Sequence, residues 1–334
     1  MNVRHRSIQP EDIPECMELL LSHPVIGPRY APVREHLPEV WLRLLRCEAC
    51  TSVLFHTDDG LHPPINCLGF TVIVRDEFLK ELKAHPHFWI GPEMVRRVVR
   101  GESPFLSGKE IREANSRDGL NLVCWDAWVR PGYEVHAALP RSIMSAFVEK
   151  HRGYRWKELI STQAHSPEHL EFVFKTGGYL WDPIEGAYTS TLRKSPSEIV
   201  ASPHVLGITR GLDIERGTWS GSWVGNLFDY HPPKLGFSRS EQRMLSFALP
   251  GATDETLAEQ LNTSLSAVKK MWISIYHRAQ ESLPELDLHS HQLDIPASGR
   301  GREKRRSMLA YIREHPEELR PVSRSGARLQ VVAG

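Results

Sequence analysis

No apolar run in the sequence approaches the roughly 20 residues that a membrane-spanning helix needs. The apolar stretch CLGFTVIV at 67–74 has instead the length of a buried strand. The first residues, MNVRHRSIQPEDIPE, lack the apolar core of a signal peptide. These two absences lead to the expectation of a cytoplasmic protein that makes no use of a membrane. Net charge is also missing, because 41 Lys and Arg are balanced by 41 Asp and Glu. A nucleic-acid surface must therefore come from local clustering of charge. Cysteine is sparse and odd in number: Cys16, Cys47, Cys50, Cys67 and Cys124. Such a count in a long chain argues against a disulfide framework. Cys47 and Cys50 form a CxxC, but no second CxxC or HxxxH follows, and VWLRLLRCEAC reads as a helix end. No metal site is expected. There is no internal repeat.

The 334 residues suffice for two domains with cores of their own. Residues 1–195 alternate strand-like and helix-like segments. VRHRSI, TSVLFHT, CLGFTVIV, LNLVCWDAWV and WKELISTQA read as strands. PEDIPECMELLLS, VREHLPEVWLRLL, DEFLKELK, PEMVRRVVR, KEIREAN, RSIMSAFVEKH and PEHLEFVFKT read as helices, and DDGLHPP as a turn. Two short strands near Tyr179–Trp181 and Tyr188–Leu192 close the run. This order predicts an α/β domain with a mixed sheet. Residues 196–233 are rich in Ser, Gly and Pro, with Trp219, Trp223 and Phe228 scattered among them. They read as a linker that packs on its neighbours. Residues 234–285 are helical, and 286–334 form an extension with one helix near 301–315 and a frayed end.

The helical segment 237–279 carries three start signals. Ser238 with Glu241 makes a capping box, Thr253 caps a second helix, and Ser264 caps a third. Pro250-Gly251 ends the first helix and Asn262-Thr263 makes a short turn. The third helix splits into two stripes. Val268, Met271, Trp272, Ile275 and Ala279 recur at helical spacing as a packing face. Ser266, Lys269, Lys270, Ile273 and His277 lie opposite. A helix with an apolar back and a basic front, set by a tight turn, suits the major groove of double-stranded DNA. On Phe237-Ser238, Glu241, Leu245, Gly251, Thr253, Leu257-Ala258, Leu261, Ser264, Val268-Lys269 and Ile275 the segment resembles the LuxR-type helix-turn-helix of transcription regulators. That resemblance places Lys269, Lys270 and Ile273 in the groove. Thr263 and Met271 depart from it, standing where the family has an apolar residue and a His. The third helix also resembles region 4 of sigma factors, with no region 2 in view.

RSIQPEDIPECMELL, WDAWVRPGY and FKTGGYLWDP together resemble the GNAT N-acetyltransferase fold over nearly all of 1–195. The resemblance implies an acetyl-CoA loop at Tyr133–Pro140. That stretch has no glycine after Gly132, carries Glu134 where a basic residue is expected, and has Pro140 without an N–H. The family's general-acid Tyr falls on Phe174, and its Asn on Pro167. Asp126, His165 and His169 remain as groups able to serve catalysis, with Asp126 read first as a hydrogen-bonded structural residue. No catalytic residue is assigned, no cofactor is expected, and acetyl-CoA is disfavoured. The sequence thus reads as a GNAT-like α/β domain, sensing a small-molecule effector or partner, fused to an all-α helix-turn-helix domain. The implied protein is a DNA-binding transcription regulator acting as a homodimer. Its dimer surface is expected at the helix near 301–315 or at the Trp-rich linker. The basic residues Arg302, Lys304, Arg305 and Arg306 line a phosphate backbone in the alternative use of that helix. Two other readings stand beside this one: an active N-acetyltransferase recruited by its C-terminal domain, and an interaction scaffold.

Overall fold

The computed structural model describes residues 3–57, 65–84, 86–133, 138–210, 223–284, 286 and 297–323. The turn DDGLHPP, Trp219 and the last dozen residues, apart from Ser323, lie outside them. The chain divides into two compact units. Unit 1 holds Met1–Ala114, Asp118–His151 and Trp156–Phe228; unit 2 holds Asn115–Arg117, Arg152–Arg155 and Asp229–Gly334.

Unit 1 is built on an eight-stranded mixed sheet in the order β1-β2-β3-β4-β5-β8-β6-β7. The strands are β1 Val3–Arg6, β2 Cys50–Thr57, β3 Cys67–Val74, β4 Leu120–Val129, β5 Trp156–Ile160, β6 Tyr179–Asp182, β7 Ala187–Thr189 and β8 Leu206–Thr209. Among the described residues β4 and β5 pair parallel, and every other pair is antiparallel. β3 and β4 are buried along nearly their whole length, so they read as apolar runs rather than as alternation.

Helices cover both faces of the sheet. Ala138–His151 (α7) packs Leu139 and Ala146 against Phe55 and Cys67 on one side. The other side meets α1 Ile13–Leu21, α2 Ile26–Tyr30, α3 Leu37–Leu45 and α5 Ile90–Val99, with Trp41 of α3 on Phe70 of β3. Among the described residues the remaining helices of unit 1 are α4 Asp76–Ala84, α6 Gly108–Ser116, α8 Pro167–Lys175, α9 Pro196–Val200 and α10 Trp223–Phe228. Two amphipathic stretches that read as single helices are each split. Short 3-10 segments, Pro10–Asp12 and Ala31–His36, precede α1 and α3, which then begin at Ile13-Pro14 and Leu37-Pro38. Proline lacks an N–H, so it is tolerated in the first turn and not further in.

The segment 196–233 is more than a packed linker. It supplies β8, an interior strand between β5 and β6, together with α9 and α10. β8 is short, and it fits because Gly207 carries no side chain: a Cβ there would stand 2.7 Å from the Leu159 carbonyl oxygen and 2.7 Å from the Tyr188 hydroxyl. A four-residue strand that depends on one glycine for its fit leaves little periodicity to read.

Unit 2 has α11 Arg239–Ala248, α12 Asp254–Gln260, α13 Leu265–Ser282 and α14 Ala297–Glu314, followed by a 3-10 turn Pro316–Leu319. The caps fall where the sequence puts them. The Ser238 side chain accepts from the Glu241 N–H while Glu241 accepts from the Ser238 N–H at 2.7 Å, and Thr253 and Ser264 cap α12 and α13. Asn262 takes a positive φ of 49° in the turn between α12 and α13, a conformation Asn tolerates better than most residues. Met244, Leu245, Ala248, Leu257, Val268, Trp272, Ile275 and Ala279 form the core with Met308, Leu309 and Ile312 of α14. The expected extension is therefore part of that core, and the apolar face of α14 is spent inside unit 2 rather than offered to a second copy. Buried Glu318 closes the arrangement by accepting the N–H groups of Lys234 at 2.7 Å and Leu235 at 3.0 Å. Ser238→Ala removes one arm of the capping box and is expected to cost about 1 kcal/mol, read from a urea melt. No helix among the described residues is long and apolar enough to cross a membrane.

Candidate functional sites

On α13 the two stripes separate as charge and size require. Val268, Ile275 and Ala279 are fully buried and Trp272 nearly so, whereas Ser266, Lys269, Lys270, Ile273 and His277 are all exposed. Ile273 is 67% exposed beside Trp272 at 5%, a large apolar side chain held in water one position from the core. His277 lies 3.4 Å from Glu281 on the same face. The basic start of α14 behaves differently from expectation. Arg305 donates to Asp254 at 2.8 Å and to the Ala252 carbonyl at 2.6 Å, and its guanidinium sits 4.7 Å over the Trp272 ring. Asp254 also accepts from the Trp272 indole at 3.2 Å. Arg305 is thus tied to the back of α13 and is not free for phosphate. Arg306 is exposed and Lys304 half-buried, while the Arg302 side chain lies outside the described residues.

Unit 1 carries a second site where β4 and β5 part. Their ladder ends at Val123 and Ile160, and β4 runs on to Val129 paired with β3. Here β4 carries a bulge: Thr71 pairs with Cys124 and Phe70 with Asp126, so Trp125 has no cross-strand partner. A bulge breaks the period of two, and both Trp125 and Asp126 reach Tyr30 of α2. The Tyr30 hydroxyl donates a short hydrogen bond to Asp126 Oδ2 and accepts from the Trp125 indole at 2.9 Å. Gly91 of α5 makes room for this knot, since a Cβ there would overlap the Tyr30 hydroxyl. Gly91→Ala is expected to displace Tyr30 and lower stability by about 1–3 kcal/mol, seen as a fall in melting temperature with altered near-ultraviolet circular dichroism.

Asp126, Tyr30, Trp125 and Thr162 line a cleft with Arg29 and Trp89, about 20 Å³ in volume, room for about one water. Burial drives the Asp126 carboxyl up to about 7, against the lowering pull of the Tyr30 hydroxyl and of Arg29. Burial likewise brings Arg29 down to about 10 and pushes Tyr30 well up. Asp126 is therefore the hydrogen-bonded strand residue the sequence predicts, and it also titrates near neutrality.

His165 and His169 lie side by side, Nδ1 to Nδ1 at 2.8 Å, so one ring donates and the other accepts. His23 and Trp128 complete the cluster, with ring centroids 4.9 Å (His23 to His165) and 5.5 Å (Trp128 to His165) apart. Burial takes His23 and His169 down to about 4 and His165 below its usual range. At neutral pH this cluster is an uncharged wall. His204 is fully used: Nε2 accepts from the Ala164 N–H at 3.0 Å and Nδ1 donates to the Ser202 carbonyl at 2.9 Å. Among the described residues no three His, Cys, Asp or Glu converge as metal ligands.

Of the stretch Tyr133–Pro140, residues 134–137 lie outside the described residues. Tyr133 and Leu139 are buried in the core under α7, and Pro140 sits in its first turn. Phe174 of α8 packs on the cluster of Leu170, Val173 and Ile199, and Pro167 opens that helix behind the cap Ser166. Arg29, Tyr30, Trp89 and His23 carry no local signal in the sequence; only the fold brings them to β4.

No family model and no curated protein matches the sequence. Among solved structures the chain is similar to an uncharacterized protein from Bacillus halodurans, at 8% identity over 68% of this chain and 92% of that one, with a TM-score of 0.34. It is similar to the GphF GNAT-like decarboxylase in complex with isobutyryl-CoA, at 13% identity over 62% of this chain and 98% of that one, with a TM-score of 0.35. It is also similar to a bacterial toxin, at 13% identity over 65% of this chain and 96% of that one, with a TM-score of 0.32. By its own topology, unit 1 is a mixed α/β sheet with flanking helices.

Proposed function

We propose that this chain is a DNA-binding transcription regulator. Unit 2 reads double-stranded DNA through α13 as a LuxR-type helix-turn-helix. Unit 1 is a GNAT-like domain that senses a small molecule. The observation that carries the reading is the exposed stripe Ser266, Lys269, Lys270, Ile273 and His277 opposite a buried apolar stripe on a capped helix. Lysines in that position meet guanine edges or phosphates, and Ile273 meets a thymine methyl. A homodimer would set two such helices about one DNA turn apart. Selection of binding sites from random duplex DNA with the purified full chain is the test. The expected result is an enriched motif whose halves are spaced by a helical turn. Failure to enrich any motif sinks the reading.

A second reading, acid–base catalysis of acyl transfer in unit 1, is favoured by one observation: a carboxyl that titrates near 7 in a cleft at the parting of two strands. The residues at the start of α7 do not fit acetyl-CoA. Pro140 offers no N–H, and the stretch from Tyr133 to Pro140 contains no glycine. Calorimetry with acetyl-CoA separates the readings, since micromolar binding with turnover that Asp126→Asn abolishes would establish the enzyme.

A further inference from the structure

We infer that the cleft between α2 and the edge of β4 left by β5 binds the carboxylate of a small organic acid, held by Arg29. The inference rests on reading unit 1 as the sensing part of the molecule.

Arg29 is the electrostatic anomaly of unit 1. Other partly buried arginines there have carboxylate partners: Arg75 with Glu110, Arg97 with Glu81 and Glu93, Arg130 with Glu15. Arg29 is half-buried, yet among the described residues it has no carboxylate within ion-pair distance. Among the described residues it makes one hydrogen bond, a long one from Nη2 to the Val200 carbonyl at 3.5 Å. Asp126 lines the same cleft but is engaged by Tyr30. Asp126 acts on Arg29 through space without an ion pair, yet burial still brings the guanidinium down to about 10, and an anion from outside would offset that cost.

The surroundings state which anion. The guanidinium carbon lies 3.3 Å from the centroid of the Trp89 ring. A guanidinium over an aromatic ring keeps its in-plane N–H groups for hydrogen bonding, and a carboxylate is the planar acceptor that takes two of them. The cleft's volume of about 20 Å³ admits one polar group rather than a bulky head. Its wall adds the Thr162 hydroxyl and the apolar sides of Ile26, Pro92 and Trp125. Asp126 opposes an anion only when ionised, and its burial keeps part of the population protonated, with an O–H to donate. The neighbouring histidines are neutral, so Arg29 is the positive charge of the site.

Three probes of matched size test this on the full chain at pH 6.5: propionate, alanine and propylamine, followed by saturation-transfer NMR titration. Propionate is expected to bind best. Arg29→Gln is expected to weaken propionate at least tenfold, and Arg29→Lys to an intermediate degree, because charge remains without the fork. Thermal melts of both variants show whether the fold is kept, and the Lys variant carries the test if the Gln variant unfolds. Alanine carries the same carboxylate, and its binding supports the inference if Arg29→Gln weakens alanine as it weakens propionate. Tighter binding of propylamine than of propionate overturns the inference. So does binding of none of the three, or unchanged propionate affinity in a folded Arg29 variant. Propionate binding by a chain that selects no DNA would keep the cleft and sink the regulator; selection of DNA without propionate binding would do the reverse.

Discussion

Replacing Lys269 and Lys270 together by Ala is expected to abolish sequence-specific DNA binding while leaving unit 2 folded. Both side chains are exposed on the face of α13 opposite its core stripe, so their removal costs no packing. Each base contact of good geometry is worth about 1–3 kcal/mol, which makes the double variant weaker by about thirtyfold or more if the contacts add. Fluorescence anisotropy with the selected DNA, in a salt series, reads the effect. A shallower salt slope with an equal loss on every sequence assigns the lysines to phosphates. A loss confined to the selected sequence assigns them to base edges. Unchanged affinity on both kinds of DNA removes α13 from the groove.

Asp126→Asn is expected to remove a fall in stability that runs from about pH 4 to about pH 7. The Asp126 carboxyl is raised from its ordinary value of 3.8 to about 7 by burial. A group raised in the folded state contributes stability that is complete below its unfolded value and is lost as pH rises through its folded value. Folding therefore weakens as the pH rises toward 7 and levels off above it, by about 3 kcal/mol between pH 5 and pH 9 if Asp126 acts alone. Asparagine keeps the acceptor for Tyr30 and carries no charge, so the variant should hold its stability at pH 9. Two histidines make an opposing contribution in the same range. His23 and His169 are lowered to about 4 by burial. Their contribution is present above about 6.5, the ordinary histidine value, and is lost as pH falls toward 4. The variant should keep that contribution alone, so its stability should rise more steeply than the wild type's between pH 4 and pH 6.5. Urea melts at intervals from pH 4 to pH 9 check both contributions. Parallel profiles of wild type and variant between pH 5 and pH 7 would show that Asp126 does not titrate in this range.

The features legible in the sequence are those made by near neighbours. Ser238, Thr253 and Ser264 each cap a helix by accepting an N–H three residues on. The stripes of α13 follow from helical spacing over one element. β3 and β4 announce themselves as long apolar runs. Where a second element decides, the sequence misleads. Arg305 reads as a phosphate ligand among basic neighbours, yet Asp254, Ala252 and Trp272, far along the chain, hold it. Residues 196–233 read as a linker because the strand within them is chosen for close approach to β5 and the Tyr188 hydroxyl rather than for alternation.

What this sequence by itself determined is the mixed α/β character of the first unit, the start of each helix in 237–282, and the residues on either face of α13. Capping and amphipathic spacing are local, and local hydrogen bonds and periodicity are written in consecutive residues. The cleft was decided only by the tertiary structure. The bulge at Trp125 turns two adjacent side chains to one face, and α2 and α5 bring Arg29, Tyr30 and Trp89 to meet them. Whether Asp126 is an ordinary carboxylate or one that titrates near neutrality depends on how much water is left around it. Burial of that kind is a property of the packed elements together, and no stretch of the chain holds it alone.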